Sequence, residues 1–473
     1  MRNHKGSLSV LSILVLSVPL SALLTFVLSV PFSGFAFQAM PSPSHWDEML
    51  IKHKWDAIPD SWVSLGQPPN GTTIKLHIAL KPNHDNALID ALHEVSHPRH
   101  PKYVLFTGTP QLEAYSRVCF RYGAHLSREQ VAGLIAPHPG TLDLVFSWLK
   151  YNGVPPSSIS VTHGGSWLTV AGIPVSRANK LLGASYELYY HIWAKETILR
   201  TVGYALPAVL HTHVKTIAPT TAFTLTRPLQ QTPLGHSEGE AAAANITSGE
   251  PSDVLSRVDK FVVQPSFLRW LYSMPFNNPS PTKSPTVRNK LGIAGFVNRI
   301  PKEEDLFKFM SIYRNDVNPR IASTQIVTVV PVNGGVDDRS RTSKQANVDT
   351  QFSVALTFPT PIEYYTIGGI PQSSESPSGM LVPADGDNNL QWLRYMTNLE
   401  SVPQTISVPY FTREQDLSEE YAKTLCDLFK VLGARGASVL AASGDLGVGR
   451  GNKVILRPLP FSTSFPASCT CDV

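Results

Sequence analysis

Gly235-His236-Ser237-Glu238-Gly239 matches the GxSxG pattern of a nucleophilic serine. Such a serine needs a strand before it and a helix after it. Here the motif follows Gln230, Gln231 and Pro233 in a linker-like stretch, so Ser237 is not expected to act. His211-Thr212-His213 could bind a metal, but a third ligand is not apparent, and no metal or cofactor residue is assigned. Gln345 and Asp349 are four apart and, read as a helix, share a face. Such a pair ordinarily meets solvent, and Thr342 with Gln345 also fits a capping box. Asp445 lies in the loop Ser443-Gly444-Asp445-Leu446-Gly447, just after an apolar run. In open α/β sheets functional groups gather at the carboxyl ends of strands, so Asp445 stands where chemistry is expected. The alternative is a turn aspartate that caps its own loop.

The apolar run, residues 437–442, reads as a strand buried on both faces. Ahead of it, Ser418 caps a predicted helix with Tyr421, Leu425, Leu428 and Leu432 on one face, closed by Gly433. Thr405, Ile406 and Val408 form the preceding strand. Strand, helix and strand at these lengths predict a βαβ unit with parallel strands. The first half reads differently. Ile74, Leu76, Ile78 and Leu80 alternate as in a strand with one buried face. Leu88, Leu92 and Val95 mark a helix after Asp85, and Ser127-Arg128-Glu129-Gln130 is a capping box. Thr141 opens a helix with Leu142, Val145 and Leu149 inward, and Ser176 begins another with Ala178, Leu181 and Leu182. Ile159 with Val161, and Leu168 with Val170, flank a Gly164-Gly165 turn. This mixture predicts an α+β domain ending near Phe223, followed by a linker rich in Pro, Gln, Gly, Ser and Ala.

The formal net charge of +4 is small and there is no basic run, so a nucleic-acid partner has no support. Arg2, His4 and Lys5 precede an apolar stretch from Leu8 to Val30, then Gly34 and Ala36. This is the order of a cleaved secretory signal, and Pro19 and scattered serines count against a membrane anchor. A secreted, extracellular protein without a stable membrane partner is expected. Its oxidising route would allow bridges among Cys119, Cys426, Cys469 and Cys471, whose spacing does not pair them. Asn70-Gly71-Thr72 and Asn245-Ile246-Thr247 fit the glycan acceptor pattern.

The second half contains, in order, Pro265-Ser-Phe-Leu-Arg-Trp-Leu-Tyr272, Leu291-Gly-Ile-Ala-Gly-Phe296, Gln345-Ala-Asn-Val-Asp-Thr-Gln351, Leu432-Gly-Ala-Arg-Gly-Ala-Ser-Val-Leu440, Ser443-Gly-Asp-Leu-Gly-Val-Gly449 and Phe465-Pro-Ala-Ser-Cys469. In these it resembles the catalytic domain of the sedolisins, serine-carboxyl peptidases of the fungal tripeptidyl-peptidase type. The first half resembles their activation prodomain through Val95-Ser-His-Pro98, Gly123-Ala-His-Leu-Ser127, Ala136-Pro137 and Trp148-Leu149. The resemblance implies a subtilisin-like α/β domain with a parallel sheet, preceded by an α+β ferredoxin-like prodomain. The expected layout is a signal over 1–36, a prodomain over 37–223, a linker over 224–264 and a catalytic domain over 265–473. It also implies hydrolysis of peptides or proteins at acidic pH, with the prodomain as the chain's own partner. Members use a serine nucleophile, a glutamate base and an aspartate that orients the base. A carboxylate suits acid, where histidine is protonated and cannot accept the serine proton. A second, protonated aspartate donates to the oxyanion. By position Asp349 matches the orienting aspartate and Asp445 the oxyanion aspartate.

Departures from the family pattern shape the expectation. Gln345 stands in the glutamate position, and an amide is not a base. The family's Gly-Thr-Ser nucleophile stretch does not occur, and the sequence ends four residues past Cys469. The chain therefore reads as carboxyl-terminally truncated and inactive. The family's calcium site lies near that end, so calcium is expected of relatives and its ligands are not expected here. Residues 104–121 separate motifs that are adjacent in the family and read as a retained in-frame intron. A sheet shortened in this way should expose part of 437–442 and leave the second half poorly stable, while the first half folds alone. The alternative function is a non-catalytic, prodomain-type inhibitor or binder of related peptidases.

Overall fold

The computed structural model describes residues 43–96, 123–192, 196–224, 227–228, 263–274, 289–296, 299–368, 387–444 and 463–469. The expected signal, the 104–121 insert, Ser237, Asn245, Cys119, Cys471, Asp445 and most of the linker lie outside the described residues. Residues 43–473 form one unit.

The fold is α/β, with antiparallel sheets in the first half and a parallel sheet in the second. In the first half, the strand Thr73–Leu80 pairs antiparallel with Trp167–Pro174 on one side and Val214–Ala218 on the other. Ile159–Val161 completes this four-stranded sheet. The alternation read from the sequence sets its inner face, since Ile74, Leu76, Ile78 and Leu80 are all buried. They pack on Val145, Trp148 and Leu149 of the helix Thr141–Tyr151 and on Ala178, Leu181 and Leu182 of the helix Val175–Leu182. The latter helix starts one residue before Ser176, because Pro174 fixes the extended backbone at its cap. The capping box forms in full: the Gln130 amide donates to Ser127 Oγ at 3.2 Å, and the Ser127 amide donates to Gln130 Oε1 at 2.8 Å.

The second half is a five-stranded parallel sheet in the order Val327–Val332, Ile362–Ile367, Leu291–Phe296, Thr405–Val408 and Ser438–Ala441. The βαβ unit is Thr405–Val408, the helix Glu419–Ala434 and Ser438–Ala441. Two expectations are corrected here. The strand Ser438–Ala441 is not buried on both faces: among the described residues it is the edge of the sheet, and Leu440 is 62% exposed. Gly433 does not close the helix, which continues to Ala434 and turns at Gly436, φ +87°. Gly433 is instead a point of close approach, where a Cβ would meet Leu92 Cδ1 at 3.1 Å. Glycine there lets the Glu419–Ala434 helix lie against the Ala87–Ser96 helix of the first half.

Contacts between the halves are extensive. Leu88, Leu92 and Val131 pack on Val431 and Ala434. The Lys215 ammonium donates to Asp427, and Lys52 pairs with Glu420 at 3.5 Å. Arg394 donates to Thr169 Oγ1 at 2.9 Å, stacks over the Trp167 ring and, with Gln391, meets the imidazole of buried His77. Cys426 and Cys469 form a disulfide that ties this interfacial helix to the segment after Ser464.

Candidate active site

The helix Lys344–Thr357 presents Gln345 and Asp349. Its amino end is capped by Ser343, whose Oγ accepts from the Ala346 amide at 3.1 Å. The Thr342–Gln345 capping box is therefore not formed: the helix starts one residue later, and Gln345 is released to face inward. Ala346, Val354 and Ala355 bury this helix against Ile293, Ile362 and Tyr364 of the parallel sheet. That packing carries the pair out of solvent, and Gln345 is buried.

Gln345 Nε2 donates to Asp349 Oδ1 at 2.6 Å. Asp349 Oδ2 is buried and has no hydrogen-bond partner among the described residues. Burial pushes the Asp349 carboxyl up to about 7, although the Gln345 hydrogen bond pulls the other way. Burial raises the phenols of Tyr364 and Tyr410, and the nearby Asp349 charge adds to the rise in both. Tyr364 donates from its hydroxyl to the Arg299 carbonyl at 3.1 Å. Its ring fills the space beside Gly295, where any Cβ would come within 2.3 Å of it. Gly295 is thus the residue that admits Tyr364 next to the carboxylate. The sequence reading missed both tyrosines, because a tyrosine inside an apolar strand reads as core; the small residue on the neighbouring strand is the signal that would have found Tyr364.

The site is an apolar-walled acid with one bonded and one unbonded oxygen. It can hold a proton near neutrality and accept one further hydrogen bond. Below about pH 7 the carboxyl is neutral and can donate. Gln345, spending its N–H on Asp349, offers only an amide oxygen to any other group.

The described approach to Asp445 ends at Gly444, φ +93°, beyond the Ser438–Ala441 strand. His211 and His213 are not brought together as ligands. His211 Nε2 lies 3.2 Å from the Leu50 carbonyl, and His213 Nδ1 lies 2.8 Å from Thr141 Oγ1. Among the described residues there is no group of three or more His, Cys, Asp or Glu side chains that could hold a metal ion. No helix among them is long and apolar enough to cross a membrane.

Residues 60–223 match the family described as Pro-kumamolisin, activation domain. A probable tripeptidyl-peptidase SED3 of Trichophyton verrucosum is 28% identical over 422 residues, covering 87% of this chain and 64% of that protein. Tripeptidyl-peptidases SED4 and SED2 of Arthroderma otae are each 27% identical, over 91% of this chain and 66% and 67% of their own lengths. The chain thus spans about two thirds of the length of the curated relatives it matches. The first half thus carries a pro-kumamolisin activation domain, and the chain shows distant homology along most of its length to fungal tripeptidyl-peptidases of the sedolisin type.

Proposed function

We propose that this is a secreted, tripeptidyl-peptidase-type serine-carboxyl peptidase by descent, directed at peptides in acid, whose own hydrolytic power is lost at Gln345. The observation that carries this reading is the Gln345 Nε2 to Asp349 Oδ1 hydrogen bond at 2.6 Å. In the position where the family has its base, the side chain donates to the orienting aspartate and cannot take a proton from a serine. Asp349 keeps the orienting position, and Asp445 is the residue proposed for the oxyanion. Calcium, where relatives need it, enters no step proposed for this chain.

The test is release of tripeptides from unblocked peptides between pH 3 and 6 (a range of about three units around the usual carboxyl values). The full-length chain should release none, and clear turnover would end the reading. Gln345→Glu should convert the pair into two carboxyls sharing one proton. Carbon-13 NMR of Asp349 should then show two apparent titration steps in place of one.

A second reading has its own support. The first half has a core drawn wholly from its own residues, and it offers His77, Trp167 and Lys215 as contacts for a peptidase domain. A first half able to hold such a domain could serve as an inhibitor of related peptidases. Residues 43–223 added to an active sedolisin-type peptidase should then slow it in a saturable way, and unchanged rates would remove this reading.

A further inference from the structure

Asn70-Gly71-Thr72 fits a glycan acceptor, and nothing proposed above makes use of it. In the structure it forms the tip of a β-turn. The Thr72 amide donates to the Pro69 carbonyl at 3.1 Å, and the Thr72 hydroxyl donates to the same oxygen at 2.6 Å. Gly71 takes the third position with φ +84°, the left-handed region that this kind of turn demands. Asn70 is left on the outer corner and is exposed. A Cβ built on Gly71 meets nothing within 4 Å, so the space beside the corner is open.

The turn also sits where a large group does no harm. It enters the Thr73–Leu80 strand at its amino end. His77, which meets Arg394 and Gln391 of the second half, lies four residues further on, roughly 13 Å at the usual rise per residue. Ala79, which joins the core shared by the halves, is further still.

The geometry points to Asn70 as an N-glycosylation site, its glycan standing at the strand end remote from the contact between the halves. This rests on the secretory reading above, since the donor is a lipid-linked oligosaccharyl pyrophosphate of the secretory lumen. In the transfer, Asn70 Nδ2 forms a bond to the anomeric carbon of the first sugar. The bond from that carbon to the pyrophosphate oxygen breaks, the lipid pyrophosphate leaves with the electron pair, and Nδ2 gives up one proton. In the folded chain the Thr72 hydroxyl is engaged by Pro69, so the modification belongs to the chain before this turn closes.

The experiment uses the full chain in a eukaryotic host, once with its own first residues and once behind a host secretion signal. Asn245→Gln is carried in both forms to remove the other acceptor. The product is treated with peptide N-glycosidase in oxygen-18 water and the peptide containing Asn70 is read by mass spectrometry. The expected result is an oxygen-18-labelled aspartate in place of Asn70 in most copies, with a downward mobility shift on treatment. Asn70→Gln and Thr72→Ala should both lose the label and the shift, and Thr72→Ser should keep them. Unlabelled Asn70 in the lumenal product made with the host signal overturns the proposal. Label with the host signal but none with the chain's own first residues keeps the site and overturns the secretory reading.

Discussion

The two halves bury their apolar residues in different ways. The core of the first half runs from Trp46 to Ile217 and takes no side chain from the second. The largest core of the second half is closed by Ala79, Trp167, Ala218 and Ala222, which all come from the first. Among the described residues the parallel sheet also ends in an edge strand that leaves Leu440 in solvent, while the Thr73–Leu80 strand is flanked on both sides. An antiparallel sheet can be finished locally by hairpins and one layer of helices. A parallel sheet needs cover on both faces, and here part of that cover is the other half.

The largest expected effect tests this asymmetry directly. Residues 43–223 produced alone should unfold in a single cooperative urea transition. Residues 265–473 produced alone should show none, with exposed apolar surface that binds a hydrophobic dye. A cooperative transition in the isolated second half would show that its core does not depend on the four borrowed residues.

Within the second half, two acids are treated differently. Asp427, partly exposed at the contact, is held by Lys215 and by Lys430 at 3.0 Å, whereas the buried Oδ2 of Asp349 has no partner among the described residues. Burial lifts the Asp349 carboxyl to about 7 from an ordinary 3.8. The folded state therefore binds this proton more tightly than the unfolded chain. Its contribution is fully present below about pH 4 and is lost as pH rises through about 7, a fall on the order of 4 kcal/mol at most. Asp349→Asn should flatten that part of the stability profile and leave the variant more stable than the parent above neutrality. A parent profile that rises between pH 4 and 7, with an unchanged slope in the variant, would mean that the carboxyl is charged and solvated in this range (roughly the interval between the two values).

How far these features could be read from sequence follows the range of the interactions. The Thr73–Leu80 strand and the Ser127 capping box depend on residues a few positions apart, and both appear as read. The βαβ unit was legible because its helix stripe and strand lengths are local, and Thr405–Val408 pairs parallel with Ser438–Ala441. Whether residues 437–442 form a central strand or an edge is a matter of sheet order, which no local pattern carries. Gly433 looked like a helix stop because Leu92, the neighbour that explains it, is distant in sequence. The same holds for the site. The spacing of Gln345 and Asp349 put them on one face, but their burial is set by strands that include Gly295 and Tyr364.

The smallest effect concerns the charged contact between the halves. Lys215 and Asp427 have side chains 22% and 39% exposed, so water and salt screen their attraction. Asp427 also keeps Lys430, three residues along its own helix, when Lys215 is removed. Lys215→Ala should therefore cost no more than about 1 kcal/mol in urea unfolding, and a double-mutant cycle with Asp427→Asn should give a coupling of about 0.5 kcal/mol that shrinks as salt is added. A coupling above about 2 kcal/mol, insensitive to salt, would place this pair among desolvated ion pairs. The attachment of the second half would then depend on charge as well as on Leu92, Trp167 and the helix that Gly433 lets close upon them.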